Sequence, residues 1–117
     1  MEMIWRGSRN LGPLTDIFNG VLYNNYAPPR SFCWDELCHD NPIMDDASMF
    51  DVNVKERVDT FVKYVCQQAS HFQTNNVILT MGEDFQYQNA RRWYTNLDKL
   101  IKYVNKVWVL FHVRGQS

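Results

Sequence analysis

Two adjacent carboxylates, Glu83 and Asp84, close an apolar run in Val77-Ile78-Leu79-Thr80-Met81-Gly82-Glu83-Asp84-Phe85-Gln86-Tyr87. A carboxylic acid set against a polar bond can protonate the leaving oxygen. As a carboxylate it can then take a proton from water in a second step. Val77 to Met81 reads as a buried strand. Acids at the C-terminal end of such a strand stand where α/β sheets and barrels keep their chemistry. The same pair also suits a plainer role, in which one carboxylate caps the following helix and the other is solvated. The residues alone leave both readings open.

Tyr23 and Tyr26 lie in Leu-Tyr-Asn-Asn-Tyr-Ala-Pro-Pro, a loop pinned by Pro28 and Pro29. A phenol there suits a site that binds sugar hydroxyls and apolar sugar faces. It equally suits a ring that packs against its own loop. Cys33 and Cys38 sit in Phe-Cys-Trp-Asp-Glu-Leu-Cys-His. Three arrangements compete: a local disulfide, two unrelated thiols, or a metal site with His39, for which no second ligand pair is visible. Cys66 falls on the apolar face of a predicted helix and reads as a small buried hydrophobe. Trp5, Trp34 and Trp93 read as packing residues, and Asp35-Glu36 and Asp45-Asp46 as ordinary loop charges. His39 and His71 have no partner at ligand spacing, and the sequence holds no Gly-rich phosphate loop, serine elbow or His-Glu-x-x-His.

The elements that must position these residues follow from periodicity. Residues 2–6 form a short strand-like piece, and residues 7–50 a long loop punctuated by Gly12-Pro13, Asn24-Asn25, Pro28-Pro29 and Asn41-Pro42, with a short helical turn around Leu14 to Phe18. A loop of that length inside a compact domain is usually functional or leans on other chain. An amphipathic helix is predicted over 53–72, with Val54, Val58, Phe61, Val62, Val65, Ala69 and Phe72 on one face and an Asn53/Glu56 capping box at its start. A second is predicted over 88–104 through Ala90, Trp93, Tyr94, Leu97, Leu100, Ile101 and Val104. Lys106 to Val113 is β-branched and aromatic, hence strand-like, with His112 as a strand residue. Loop, helix, strand and helix in that order imply the α/β class with a parallel sheet.

Bulk properties narrow the function classes. The chain has 117 residues, 45% hydrophobic and 15% aromatic, so it affords one small packed core. A net charge of -1 gives no electrostatic grip on nucleic acid or on an anionic membrane, neither of which is an expected partner. Met1 to Arg6 lacks the basic and apolar regions of a signal peptide.

Several motifs in unbroken order carry a resemblance. They are Trp5-Arg6-Gly7-Ser8, Asn10-Leu11-Gly12-Pro13-Leu14-Thr15-Asp16-Ile17-Phe18, Tyr26-x-Pro28-Pro29, Cys33-Trp34-Asp35-x-Leu37-Cys38 and Met81-Gly82-x-Asp84-Phe85-Gln86-Tyr87. Together they resemble the α-mannosidases of glycoside hydrolase family 38, in the lysosomal rather than the Golgi-type branch. The resemblance implies a partial slice of a seven-stranded β/α barrel with parallel strands. Residues 1–105 would be a fragment of the family's N-terminal catalytic domain, and 106–117 a divergent strand-like tail. It implies a zinc-dependent retaining exo-α-mannosidase of the lysosome, acting on mannose-containing oligosaccharides such as N-glycans. Asp84 would be the general acid/base, Tyr26 a substrate-binding residue, and Cys33–Cys38 a local disulfide. The family's zinc-binding His-x-Asp pair and its Asp-Pro-Phe-Gly-His nucleophile do not occur here. The expectation is therefore a chain that carries the acid/base without the nucleophile or zinc ligands, is inactive by itself, and has the rest of its parent polypeptide as partner. An alternative is an inactive sugar-binding or interaction module derived from that enzyme.

Overall fold

In the computed structural model, residues 2–74 and 76–114 are described, with side chains as far as Val107. β1 (Glu2–Arg6) pairs antiparallel with β2 (Asp16–Gly20), in a register that sets Glu2 opposite Gly20 and Arg6 opposite Asp16. A 3-10 turn at Gly12–Thr15 feeds β2, with Pro13 near its start, where a missing N–H costs nothing. The Arg6 guanidinium grips both oxygens of Asp16 at 2.8 and 2.9 Å and closes the hairpin. A third strand, β3 (Tyr23–Tyr26), follows. Two helices complete the described chain, α1 (Val54–Ala69) and α2 (Ala90–Arg114).

The core is a wedge. Phe32 and Trp34 sit between the helices, Phe32 edge-on to Phe61 of α1 at 5.4 Å and Trp34 edge-on to Trp93 of α2 at 5.8 Å. Ile43 and Leu100 complete this buried cluster. Edge-to-face geometry sets the positive rim of one ring on the negative face of the next, which adds about 0.5–1.5 kcal/mol per pair beyond area burial. Arg57 lies over the Phe32 ring at 4.4 Å and donates to the Ser31 carbonyl. Buried Asn96 accepts the Ile43 N–H at 2.7 Å and donates to Arg92 O at 2.9 Å, so an amide in the core is satisfied on both sides.

The slice of a parallel barrel is not what the chain forms. Among the described residues the sheet is two-stranded and antiparallel, and the architecture is a small α+β unit. Val77 to Met81, expected as a buried strand of a parallel sheet, forms no strand. A parallel strand needs a ladder partner, and here side chains take its backbone groups instead. Gln68 Nε2 donates to Ile78 O at 2.8 Å, and the Tyr87 hydroxyl donates to Met81 O. The expected long loop 7–50 holds β2, β3 and the 3-10 turn.

Other expectations shift too. The tail expected as a strand from Lys106 to Val113 continues α2 as far as Arg114. Extending a helix costs far less than nucleating one, and no Gly or Pro interrupts the run. The side chain of His112 lies outside those described. Asn53 makes no cap bond; its side chain accepts the Met44 N–H at 2.8 Å and donates to Pro42 O at 2.9 Å, tying loop to helix. Cys66 is free and exposed rather than buried. Trp5, expected in packing, is 57% exposed, with Ile4, Ile17 and Phe18 of the same hairpin also bare. The radius of gyration is 18.5 Å, against about 13 Å for a compact domain of this length.

If the wedge is the core, Trp34→Ala should cost about 3–5 kcal/mol in urea denaturation followed by far-UV circular dichroism. A cost under about 1 kcal/mol would place the core elsewhere.

Candidate active site

Tyr26 closes β3, and Pro28 and Pro29 behind it are buried. Asn24 Nδ2 donates to Pro28 O at 3.1 Å and holds the bend between them. Residues 77–82 run alongside. Thr80 Oγ1 donates to Ala27 O at 2.7 Å, and the Gly82 N–H donates to Tyr26 O at 3.1 Å. Beyond Gly82 the chain turns, with the Gln86 N–H donating to Glu83 O at 3.3 Å across Asp84 and Phe85. This turn aims Asp84 back at β3, where its Oδ1 accepts the Tyr26 hydroxyl. Residues 58 apart in sequence thus meet at an exposed lip.

The turn is strained. Phe85 has φ 61° and Tyr87 φ 67°, both in the left-handed region. Each such non-glycine residue costs on the order of 1–2 kcal/mol. The surroundings hold it nonetheless. The Tyr87 ring stacks on Trp93 with centroids 4.9 Å apart and planes 15° off parallel, and its hydroxyl reaches Met81 O. The Tyr87 N–H donates to Asp35 Oδ2 at 2.7 Å. Phe85, at the apex, is 83% exposed.

Asp35 is fully buried and is the polar centre of this arrangement. Besides Tyr87 N–H it accepts Trp93 Nε1–H at 2.9 Å on the same oxygen, and Leu37 N–H at 3.5 Å on the other. Burial pushes its carboxyl up. The Trp93 indole and the backbone N–H groups of Tyr87, Leu37 and Glu36 outweigh that and hold it below the usual carboxylate range. The Cys33–Cys38 disulfide closes the loop that carries it. Gln86 Nε2 lies 3.4 Å from Cys33 Sγ, so the disulfide also touches the turn.

The Tyr26 phenol is raised above its ordinary value. The hydrogen bond to Asp84 is the largest cause, followed by burial and the charges of Asp84 and Glu83. Deprotonation would break that bond and bring an anion against the carboxylate.

Of the residues singled out in the sequence, Tyr26 meets Asp84, and Cys33 is bonded to Cys38. The disulfide occupies both thiols, which removes the metal reading with His39. Tyr23 instead faces His71 at 5.1 Å and Tyr64 at 6.2 Å. Asp35 and Tyr87 were not legible as site residues. The only signal for Asp35 is its place beside Trp34 inside the Cys-x4-Cys loop. Among the described residues no group of three His, Cys, Asp or Glu could hold a metal ion, so these residues do not fit zinc by themselves. A cleft of about 280 Å3 between the hairpin end and the C-terminal turn of α1 is lined by Phe18, Leu22, Phe72 and Ile78, not by Tyr26 or Asp84.

The sequence model described as "Glycosyl hydrolases family 38 N-terminal domain" matches residues 1–116. The chain belongs to glycosyl hydrolase family 38. Human lysosomal alpha-mannosidase is 50% identical over 106 residues, which cover 90% of this chain and 10% of that protein. A probable alpha-mannosidase of Arabidopsis thaliana is 46% identical over 106 residues, with the same coverage of both chains. The alpha-mannosidase of Canavalia ensiformis is 41% identical over 106 residues, 91% of this chain and 11% of its own. The family 38 chain therefore spans about a tenth of the length of the curated relatives it matches.

Two outcomes are expected. Asp84→Asn should lower the Tyr26 titration midpoint toward that of a free tyrosine, read by 13C NMR at the ring Cζ; an unchanged midpoint would deny the bond. Because the Asp35 carboxyl is lowered on folding, its stabilisation is complete above about pH 4 and is lost as pH falls through the lowered value. Urea midpoints should hold from neutral pH down to that point and then fall, and Asp35→Asn should flatten part of the fall. An acid limb unaltered in Asp35→Asn would assign it to other carboxylates.

Proposed function

We propose that this family 38 chain is a segment of a zinc-dependent retaining exo-α-mannosidase of the lysosome that hydrolyses α-D-mannosides of N-glycan oligosaccharides. Asp84 is its general acid/base and Tyr26 a substrate-binding residue. The observation that carries this reading is the pairing of the Tyr26 hydroxyl with Asp84 Oδ1 at an exposed lip. In the first half-reaction the Asp84 carboxyl gives its proton to the glycosidic oxygen as the bond to the sugar breaks. In the second, the Asp84 carboxylate takes a proton from the water that attacks the sugar. Tyr26 holds one carboxylate oxygen and leaves the other free for this exchange.

Retaining hydrolysis needs a second carboxylate about 5–5.5 Å from the first, across the sugar. Glu83 adjoins Asp84 on the chain and is not assigned that opposed role. The described residues do not fit zinc, so its ligands, like the nucleophile, belong to the remainder of the parent polypeptide. Zinc there would act as a Lewis acid on sugar oxygens. Lysosomal placement rests on relatives such as the human lysosomal alpha-mannosidase. Mannose-containing oligosaccharide and the rest of the polypeptide are the partners, with neither nucleic acid nor membrane among them. Among the described residues no helix is long and apolar enough to cross a membrane.

Purified as 117 residues, the chain is expected to give no turnover of an aryl α-mannoside; measurable release of the aryl alcohol would overturn the two-carboxylate argument. In the complete enzyme, Asp84→Asn should lower kcat by at least about 100-fold, the contribution typical of general acid–base catalysis. An unchanged kcat would remove Asp84 from the mechanism. The exposed Phe85, next to Asp84 in the chain, favours one second reading, a sugar-binding module without catalysis. Mannoside binding by the 117-residue chain, with the complete enzyme inactive, would select it.

A further inference from the structure

The buried cluster around Asp35 has no part in the proton transfers assigned to Asp84, yet it grips the turn that carries Asp84. We propose that Asp35 is a positioning residue for the Asp84 carboxylate, acting through Tyr87. The inference rests on the reading of Asp84 as acid/base only for its consequence in catalysis; the coupling itself is a matter of geometry.

Four contacts make the chain of cause. Asp35 Oδ2 accepts Tyr87 N–H at 2.7 Å and Trp93 Nε1–H at 2.9 Å, so one oxygen fixes the end of the turn to α2. Tyr87 stacks on the same Trp93 ring at 4.9 Å, so backbone and side chain are set by one surface. The Tyr87 hydroxyl then reaches back to Met81 O, which fixes the start of the turn. Residues 81 and 87 are thereby clamped by one side chain. Between them the chain has no slack: Phe85 and Tyr87 hold left-handed φ values of 61° and 67°, and Asp84 is carried onto the Tyr26 hydroxyl. Left-handed aromatic residues relax once their restraints go. Tyr87 N–H is the restraint nearest the strained position, and its acceptor is a buried carboxylate with no cation among its hydrogen-bond partners.

A merely structural Asp35 would stabilise the core without touching Tyr26, and this separates the two roles. Asp35→Leu nearly keeps the shape and leaves no acceptor for the N–H groups that now converge on the carboxylate. Asp35→Asn is the weaker probe, because its one oxygen can still accept both Tyr87 N–H and Trp93 Nε1–H, which share Oδ2 here.

The test is the titration of the Tyr26 ring Cζ by 13C NMR in the 117-residue chain, assigned with Tyr26→Phe. Asp35→Leu is expected to shift the Tyr26 midpoint down as far as Asp84→Asn does, because the phenol loses the Asp84 carboxylate in both. Tyr87→Phe, which keeps the stack and the amide but loses the tie to Met81, should shift it part of the way. A folded Asp35→Leu chain with the wild-type Tyr26 midpoint overturns the proposal. If Asp35→Leu fails to fold, Tyr87→Phe decides: a lowered midpoint supports the coupling and an unmoved one overturns it. The catalytic reading fails separately. A complete enzyme whose kcat survives Asp84→Asn loses the acid/base assignment while the Tyr26 titrations keep their order.

Discussion

A buried carboxylate with three N–H donors and no cation among its hydrogen-bond partners holds this chain together. Stripping water from a charge is expensive, and a lone carboxylate in an aromatic core would ordinarily take up a proton. Asp35 keeps its charge because Trp93, Tyr87 and Leu37 replace the water it has lost. The donors come from α2, from the turn before α2 and from its own loop. One group therefore ties together three segments that also meet through the Trp34–Trp93 and Tyr87–Trp93 ring pairs. The Phe32, Trp34, Phe61 and Trp93 cluster gives the surrounding apolar burial, but rings alone tolerate sliding. A fixed acceptor does not, and it converts a greasy contact into a defined register between loop and helix.

This explains why the strain falls where it does. Phe85 and Tyr87 occupy backbone conformations that a free chain would leave. Their cost is carried by the stack on Trp93 and the bond to Asp35, so a stiff surface lies behind the acid rather than a mobile loop. The acid/base role proposed for Asp84 would gain from such backing. Tyr26 contributes from the other side, where two buried prolines limit its freedom. Asp84 is thus held between a rigid strand end and a rigid turn, with its face open to solvent.

Parts of this were legible in the sequence. Both helices follow from apolar spacing, and the acid pair after an apolar run marked the candidate site. The residues left the Cys33–Cys38 disulfide among three readings and Tyr26 between two, and the family resemblance narrowed each to one. The parallel strand was not legible, since an apolar run of five says that a segment is buried and not what its backbone bonds to. Asn53 shows the same gap: a polar residue three before a glutamate reads as a cap, while its amide serves the loop at Pro42 and Met44. Asp35 was hidden by its neighbour. An Asp-Glu pair in a loop looks solvated, and only the fold separates the buried carboxylate from the exposed Glu36.

The distance along the chain between Asp35 and its indole donor has a consequence for biosynthesis. They are 58 residues apart. At about 5–20 residues per second, a ribosome needs about 3 to 12 seconds to add that length, before the exit tunnel is counted. Throughout that interval the loop is outside with Trp34 and the Asp35 Oδ2 acceptor still waiting for the Trp93 indole. The Cys33–Cys38 bond is the one long-lived link it can make without waiting. In an oxidising compartment this small ring closes early and keeps the loop curled until Trp93 arrives.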